Sequence, residues 1–229
     1  MKANSKLQVL ESLVQQKIET LKESAAKPGS IIKTGNKTVL SVPFAPQAPF
    51  GGWKDDRQQD GCEEASAIMA MAWVKNEKVT LQKTLDQIIA ISAYEQKNYG
   101  SYNDTSAEDT AKRIFNGYFG YSNIKVVHNI TTEDIKKEIA KGNLVVVPVD
   151  GQRLYNPFFA QPGPERHMIV VKGYNSAKNQ FITNDPGTKH GESYIYSSSV
   201  LEGALRDYVT GHHAPIINIQ KAMIVVYPK

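Results

Sequence analysis

The chain has one cysteine in 229 residues. That count excludes an internal disulfide, a Cys-x-x-Cys redox pair and any thiolate-rich zinc cluster. The sequence also lacks a run of about 18 apolar residues, so no segment reads as a membrane-spanning helix. Charge of one sign is equally scarce: 27 Lys and Arg stand against 23 Asp and Glu, a formal net charge of +4. A balance so mild and so mixed gives no electrostatic case for nucleic acid. With 41% hydrophobic and 22% charged residues, disorder, collagen and a coiled-coil rod are excluded as the main architecture. The first residues, Met1-Lys2-Ala3-Asn4-Ser5-Lys6, lead into an amphipathic stretch and carry no signal-peptide pattern. The expectation is a cytoplasmic protein, or an exported one numbered from a trimmed start.

What is present fits one domain with an appendage. Leu7, Leu10, Val14, Ile18 and Leu21 recur at steps of three and four, which predicts an amphipathic helix over residues 5–25. Pro28-Gly29 stops it, so 1–28 reads as helix and linker and 29–229 as the main domain. That domain opens with a strand near Thr38–Val42 and a Pro/Gly/Trp loop to Gly61. Cys62–Asn76, rich in Ala and Met and free of breakers, predicts a buried helix. A second helix fits Leu81–Lys97. Ser106-x-x-Asp109 and Thr131-x-x-Asp134 predict capped helices to about Asn116 and Gly142. Ile124–His128 reads as a short strand. From Leu144 the pattern turns to strands: Leu144–Val149, His167–Tyr174, Gln180–Asn184, Ser193–Tyr196 and Lys221–Tyr227, with a short helix over Ser199–Tyr208. Helices first and strands later predict an α+β fold. The irregular stretch Asp150–Arg166 is long enough to suggest a functional loop.

Cys62 follows Asp60-Gly61 at a predicted helix start. The positive end of the helix dipole stabilises a thiolate there, and Gly61 would leave the sulfur accessible. Glu63 and Glu64 share the first turn and would raise the thiol pKa if they faced it. A nucleophilic cysteine needs a base. His167 is the strongest of five histidines, because it stands where the long loop enters an apolar strand. His128 reads as structural, while His190, His212 and His213 read as exposed; the adjacent His212-His213 pair lacks the acidic neighbours of a metal site. Asp185, at the end of the next strand, is placed to orient His167 if the two strands pair antiparallel. It is equally an ordinary Asp-Pro-Gly turn residue.

Val42-Pro43-Phe44-Ala45-Pro46-Gln47, Asp60-Gly61-Cys62-Glu63-Glu64-Ala65-Ser66, His167-Met168-Ile169-Val170-Val171-x-Gly173-Tyr174 and Asn184-Asp185-Pro186-Gly187 stand in that order. Together they resemble the signature of papain-like cysteine peptidases, in the bacterial branch related to the bacteriocin-leader (double-glycine) peptidases. The resemblance spans residues 38–229. It implies a papain-like fold in which a nucleophile helix packs on an antiparallel sheet. It implies Cys62 as nucleophile, His167 as general base and acid, and Asp185 as orienter. Gln47 would be the oxyanion donor beside the Cys62 amide, with Gln59 as the alternative. The implied reaction is cleavage of a peptide or amide bond through an acyl-thioester, with no cofactor and no metal, on a peptide or protein substrate. No transporter follows, so leader processing is not implied, and Gly51-Gly52 reads as a turn. Trp53, Tyr155, Phe158 and Phe159 are expected at the cleft rim. Cell-wall peptide cleavage, acyl transfer on the same fold, and a non-catalytic peptide-binding module stay open. The catalytic reading demands Cys62 sulfur and a His167 ring nitrogen within hydrogen-bond reach, allowing for looser apo geometry.

Overall fold

The computed structural model describes residues 30–217 and 220–229; the helix expected over 5–25 lies outside them. Strand β1 (Ile31–Thr34) and β2 (Lys37–Leu40) form a hairpin. A short helix α1 (Asp56–Gln59) precedes α2 (Cys62–Lys75) and α3 (Leu81–Tyr99). One turn, α4 (Ala107–Asp109), runs on as a π-helix over Thr110–Tyr118. Then come β3 (Ile124–His128), α5 (Thr132–Lys141), β4 (Leu144–Val149), a 3₁₀ turn (Gly151–Leu154), β5 (His167–Asn175), β6 (Gln180–Asn184), β7 (Tyr194–Ser197), α6 (Ser198–Ala204) and β8 (Ala222–Val226). The α+β expectation holds. Three details differ from it: the β1 hairpin and α1 are additional, the 106–116 helix is π-wound and longer, and α6 stops at Ala204 because Leu205 leaves the helix to bridge Val149.

The eight strands among the described residues are all antiparallel to their neighbours. The order β1-β2-β5-β4-β8-β3 forms the main path, and β6 and β7 extend from β5. β5 is thus the hub. β4 pairs with its first half (Val149↔His167 to Val145↔Val171), β2 with its second half, and β6 with the other edge. An all-apolar run such as Leu-Val-Val-Val-Pro-Val suits a strand covered on both faces, and every residue of β4 is buried.

The helix α2 explains that covering. Residues 62–74 are buried without a break, so this helix has no solvent face. A helix apolar all round belongs in the middle of a core. α2 lies between the sheet and α3 with the π-helix. Asn76, in the left-handed region at φ 56°, ends it.

Candidate active site

Two elements set the site. α2 begins at Cys62, and Gly61 is required just before it: a Cβ there would stand 2.6 Å from the Arg57 carbonyl oxygen of α1. One turn along the same face, Ser66 Oγ donates to the Met168 carbonyl at 3.1 Å. Residues i and i+4 of a helix share a face, so this bond turns the Cys62 face of α2 toward the first residues of β5. His167 is the first of those residues.

The β5–β6 register brings Asp185 to the same end. Val170 pairs with Asn184, so the chain continuing past Asn184 runs back alongside Ile169, Met168 and His167. His167 Nε2 and Asp185 Oδ1 meet at 2.8 Å, both fully buried. Gly187 lies against the imidazole: a Cβ there would come within 2.9 Å of His167 Cε1 and 3.0 Å of Phe159 Cε1. Phe159 closes on the ring edge-to-face, centroids 5.3 Å apart.

Asp185 has a full set of donors. Gly187 N–H gives to Oδ1 at 3.0 Å, while Tyr196 Oη at 2.6 Å and Asn156 Nδ2 at 3.3 Å give to Oδ2. Asn156 Nδ2 also donates to Tyr196 Oη at 2.8 Å. Burial would push this carboxyl up; His167 and the hydrogen bonds of His167, Tyr196 and Gly187 outweigh it and hold Asp185 below its ordinary range. The Tyr196 phenol, buried beside that carboxylate, is pushed far up and stays a donor. Neither Tyr196 nor Asn156 was anticipated. Asn156 lies in the long loop whose length already suggested a role, whereas Tyr196 gives no signal until β6 and β7 pair.

The cysteine departs from expectation. Its sulfur is not accessible: Cys62 is 5% exposed, because α2 is enclosed on every side. The thiol donates to Glu63 Oε2 at 3.0 Å. Among the described residues no hydrogen bond joins it to His167; the thiol's bond goes to Glu63 instead. Burial first, then Glu63 and Glu64, push the thiol well up. Tyr208 Oη donates to the other Glu63 oxygen at 2.6 Å.

Gln47 is buried beside the Asp185–Gly187 turn. Its N–H donates to the Pro186 carbonyl at 3.0 Å, tying it to the Asp185–Gly187 turn. Its side-chain Nε2 donates to the carbonyls of Gln58 (3.0 Å) and Gln59 (2.8 Å), and Oε1 is buried without a partner. Gln59 itself is exposed. Of the expected rim, Trp53, Tyr155 and Phe158 are exposed and Phe159 is buried against His167. His128, His190, His212 and His213 are all exposed, and His128 pairs with Glu108 at 2.8 Å. No group of three or more His, Cys, Asp or Glu side chains among the described residues is arranged to hold a metal. No helix among them is long and apolar enough to cross a membrane.

Comparison with known proteins gives the same picture at the level of family and fold. The sequence model described as "Peptidase_C39 like family" matches residues 39–210, about three quarters of the chain. The chain is similar in fold to the crystal structure of a candidate C39-like peptidase from Bacillus anthracis. The TM-score is 0.51 at 15% identity, over 83% of this chain and 98% of that one. No curated protein matches in sequence.

Proposed function

The chain belongs to the Peptidase_C39-like family, and from that membership we propose that it cleaves a peptide or amide bond with Cys62, His167 and Asp185. The working unit is taken as 29–229, with 1–28 as helix and linker. The observation that carries the reading is the buried His167–Asp185 pair, 2.8 Å apart, at the strand end faced by the start of α2.

Asp185 accepts from Nε2–H, which leaves the Nδ1 lone pair as the base. The proton of Cys62 moves to Nδ1 and the thiolate attacks the carbonyl carbon of the substrate. The oxyanion so formed needs donors. Cys62 N–H, in the first turn of α2, has no carbonyl one turn back within the helix. Gln47 Nε2 supplies the second donor by giving up one of its two carbonyl partners. The imidazolium then protonates the leaving amine, which departs and leaves an acyl-thioester. Water, deprotonated by Nδ1, adds to that ester; the acid leaves and the thiol regains its proton.

The test is hydrolysis of a peptide panel that includes peptidoglycan fragments. Cys62→Ala and His167→Ala should each lower the rate at least a thousandfold; turnover persisting in Cys62→Ala would sink the reading. Peptidoglycan fragments cleaved to the exclusion of linear peptides would point to cell-wall cross-links. One observation favours a non-catalytic binding module, namely the buried thiol held by Glu63. That reading predicts peptide binding without turnover and negligible alkylation of Cys62 by iodoacetamide near neutral pH.

A further inference from the structure

The mechanism leaves three buried glutamates unused: Glu63, Glu64 and Glu95. Glu64 takes a hydrogen bond from Ser92 at 3.2 Å, and neither Glu95 oxygen has a partner. Glu63 alone touches the thiol. An acidic residue in a first helical turn gains from the dipole while facing solvent. Glu63 instead is 2% exposed with both oxygens engaged, one by Cys62 Sγ and one by Tyr208 Oη. Tyr208 is fixed independently of α2. Its N–H donates to Asp207 Oδ1, which also accepts the Ala107 N–H at the head of α4, and the Asp207 N–H donates to the Gln220 carbonyl. The phenol therefore reaches Glu63 from a separate, anchored segment and aims it back at the sulfur.

Building on the Cys62–His167 reading, we propose that Glu63 is a positioning residue that holds the resting Cys62 thiol as a hydrogen-bond donor away from His167, with Tyr208 fixing Glu63 for that task. Release is a matter of Glu63's charge. A neutral carboxyl is a weaker acceptor than a carboxylate. Once Glu63 is neutral, the S–H turns to Nδ1 and its proton passes from sulfur to nitrogen, giving the thiolate–imidazolium pair with no other atom exchanged.

The surroundings place that change near neutral pH. Glu64 acts from α2, Glu95 from α3 with Arg113 of the π-helix behind it, Asp104 from the loop before α4, and Tyr208 and Asp207 from the segment after α6. Burial pushes Glu63 up to about 7, with the Tyr208 and Cys62 hydrogen bonds drawing it part of the way back. Ionised Glu63 grips the thiol above that pH and lets it go below.

Because the chain has one cysteine, thiol chemistry reads this site alone. Iodoacetamide alkylation of the full chain, followed from about pH 5 to 9, is the experiment. Glu63→Gln should speed alkylation about tenfold near pH 7–8, equivalent to lowering the thiol pKa by roughly one unit. Tyr208→Phe should act in the same direction, since Glu63 then stays neutral to higher pH, and should add nothing in the Glu63→Gln background. His167→Ala reads the base separately and should slow alkylation below about pH 8. A Glu63→Gln profile overlying wild type, with His167→Ala slowed, overturns the hold and leaves the triad standing. A faster Glu63→Gln with His167→Ala unchanged keeps the hold and removes the base. Should Glu63→Gln not fold, the infrared S–H stretch of the unaltered protein decides. The one S–H band, strongly hydrogen-bonded above about pH 7, should fade as pH falls through that value and the proton passes to Nδ1; a band absent above that pH, or undiminished below it, overturns the proposal.

Discussion

Gly187 shows how finely the site depends on one missing side chain. It follows Asp185-Pro186, so turn chemistry alone accounts for its presence in the sequence. Its second duty is steric, because the His167 ring and Phe159 occupy the space a methyl group would need. Gly187→Ala should displace the imidazole and lower peptide hydrolysis about ten- to a hundredfold. The melting temperature should move by only a few degrees, since the residue lies at a turn and calorimetry would register no loss of core. Hydrolysis unchanged in that variant would mean the ring tolerates the shift. Cys62, His167 and Asp185 were legible because each stands at a junction, a helix start after Gly or a strand end beside a turn. Tyr196 and Asn156 were not. Their partnership with Asp185 arises from β6–β7 pairing and from the path of an irregular loop, neither of which leaves a period in the sequence. Gln47 was legible only through its motif, and its bonds to Gln58 and Gln59 depend on α1, which the sequence did not reveal.

At the scale of elements, α2 and α3 share a buried row of acids. Burial pushes Glu95 up to about 8, the Glu63 charge adds to that, and Arg113 opposes it. The unfolded reference is 4.5, so the folded protein binds this proton more tightly. Its stabilising contribution is complete below about pH 4.5 and is lost as pH rises through about 8. The melting temperature of the wild type should therefore fall between pH 5 and pH 8. Glu95→Gln should flatten that fall by several degrees, measurable by calorimetry at the two pH values; an equal fall would remove this account. The composition of α2 disclosed a buried helix, but not that Glu63 and Glu64 in its first turn are buried with it, since acids at a helix start are ordinarily solvated. The π-winding of Thr110–Tyr118 was hidden for another reason. Over two turns, a period of 3.6 and a slightly wider one place the same apolar residues, here Ile114 and Phe115, against the core. The β1 strand escaped notice because its four residues are half-exposed and alternate weakly.

For the molecule as a whole, the loops around the site are tied to one another and to the sheet by several links besides Ser66. Asn184 Nδ2 reaches the carbonyls of Val42 and Pro43, both at 3.2 Å. Arg166, next to His167, lies 3.8 Å from Asp104 and donates to the Ala214 carbonyl. The sheet itself is closed by its last strand: β8 fills the slot between β4 and β3 and is buried along its length. Removing residues 221–229 would leave two facing edges unpaired within the core. The shortened chain should lose its cooperative urea transition, and a transition of normal steepness would contradict the role given to β8. That placement also governs when the protein first becomes competent during synthesis. The ribosome delivers the thiol early, the imidazole and carboxylate much later, and the strand that locks the sheet last of all. Until Val226 has emerged the nascent chain carries the thiol without its assembled surroundings, so any chemistry that needs Cys62, His167 and Asp185 together begins only once β8 has joined the sheet.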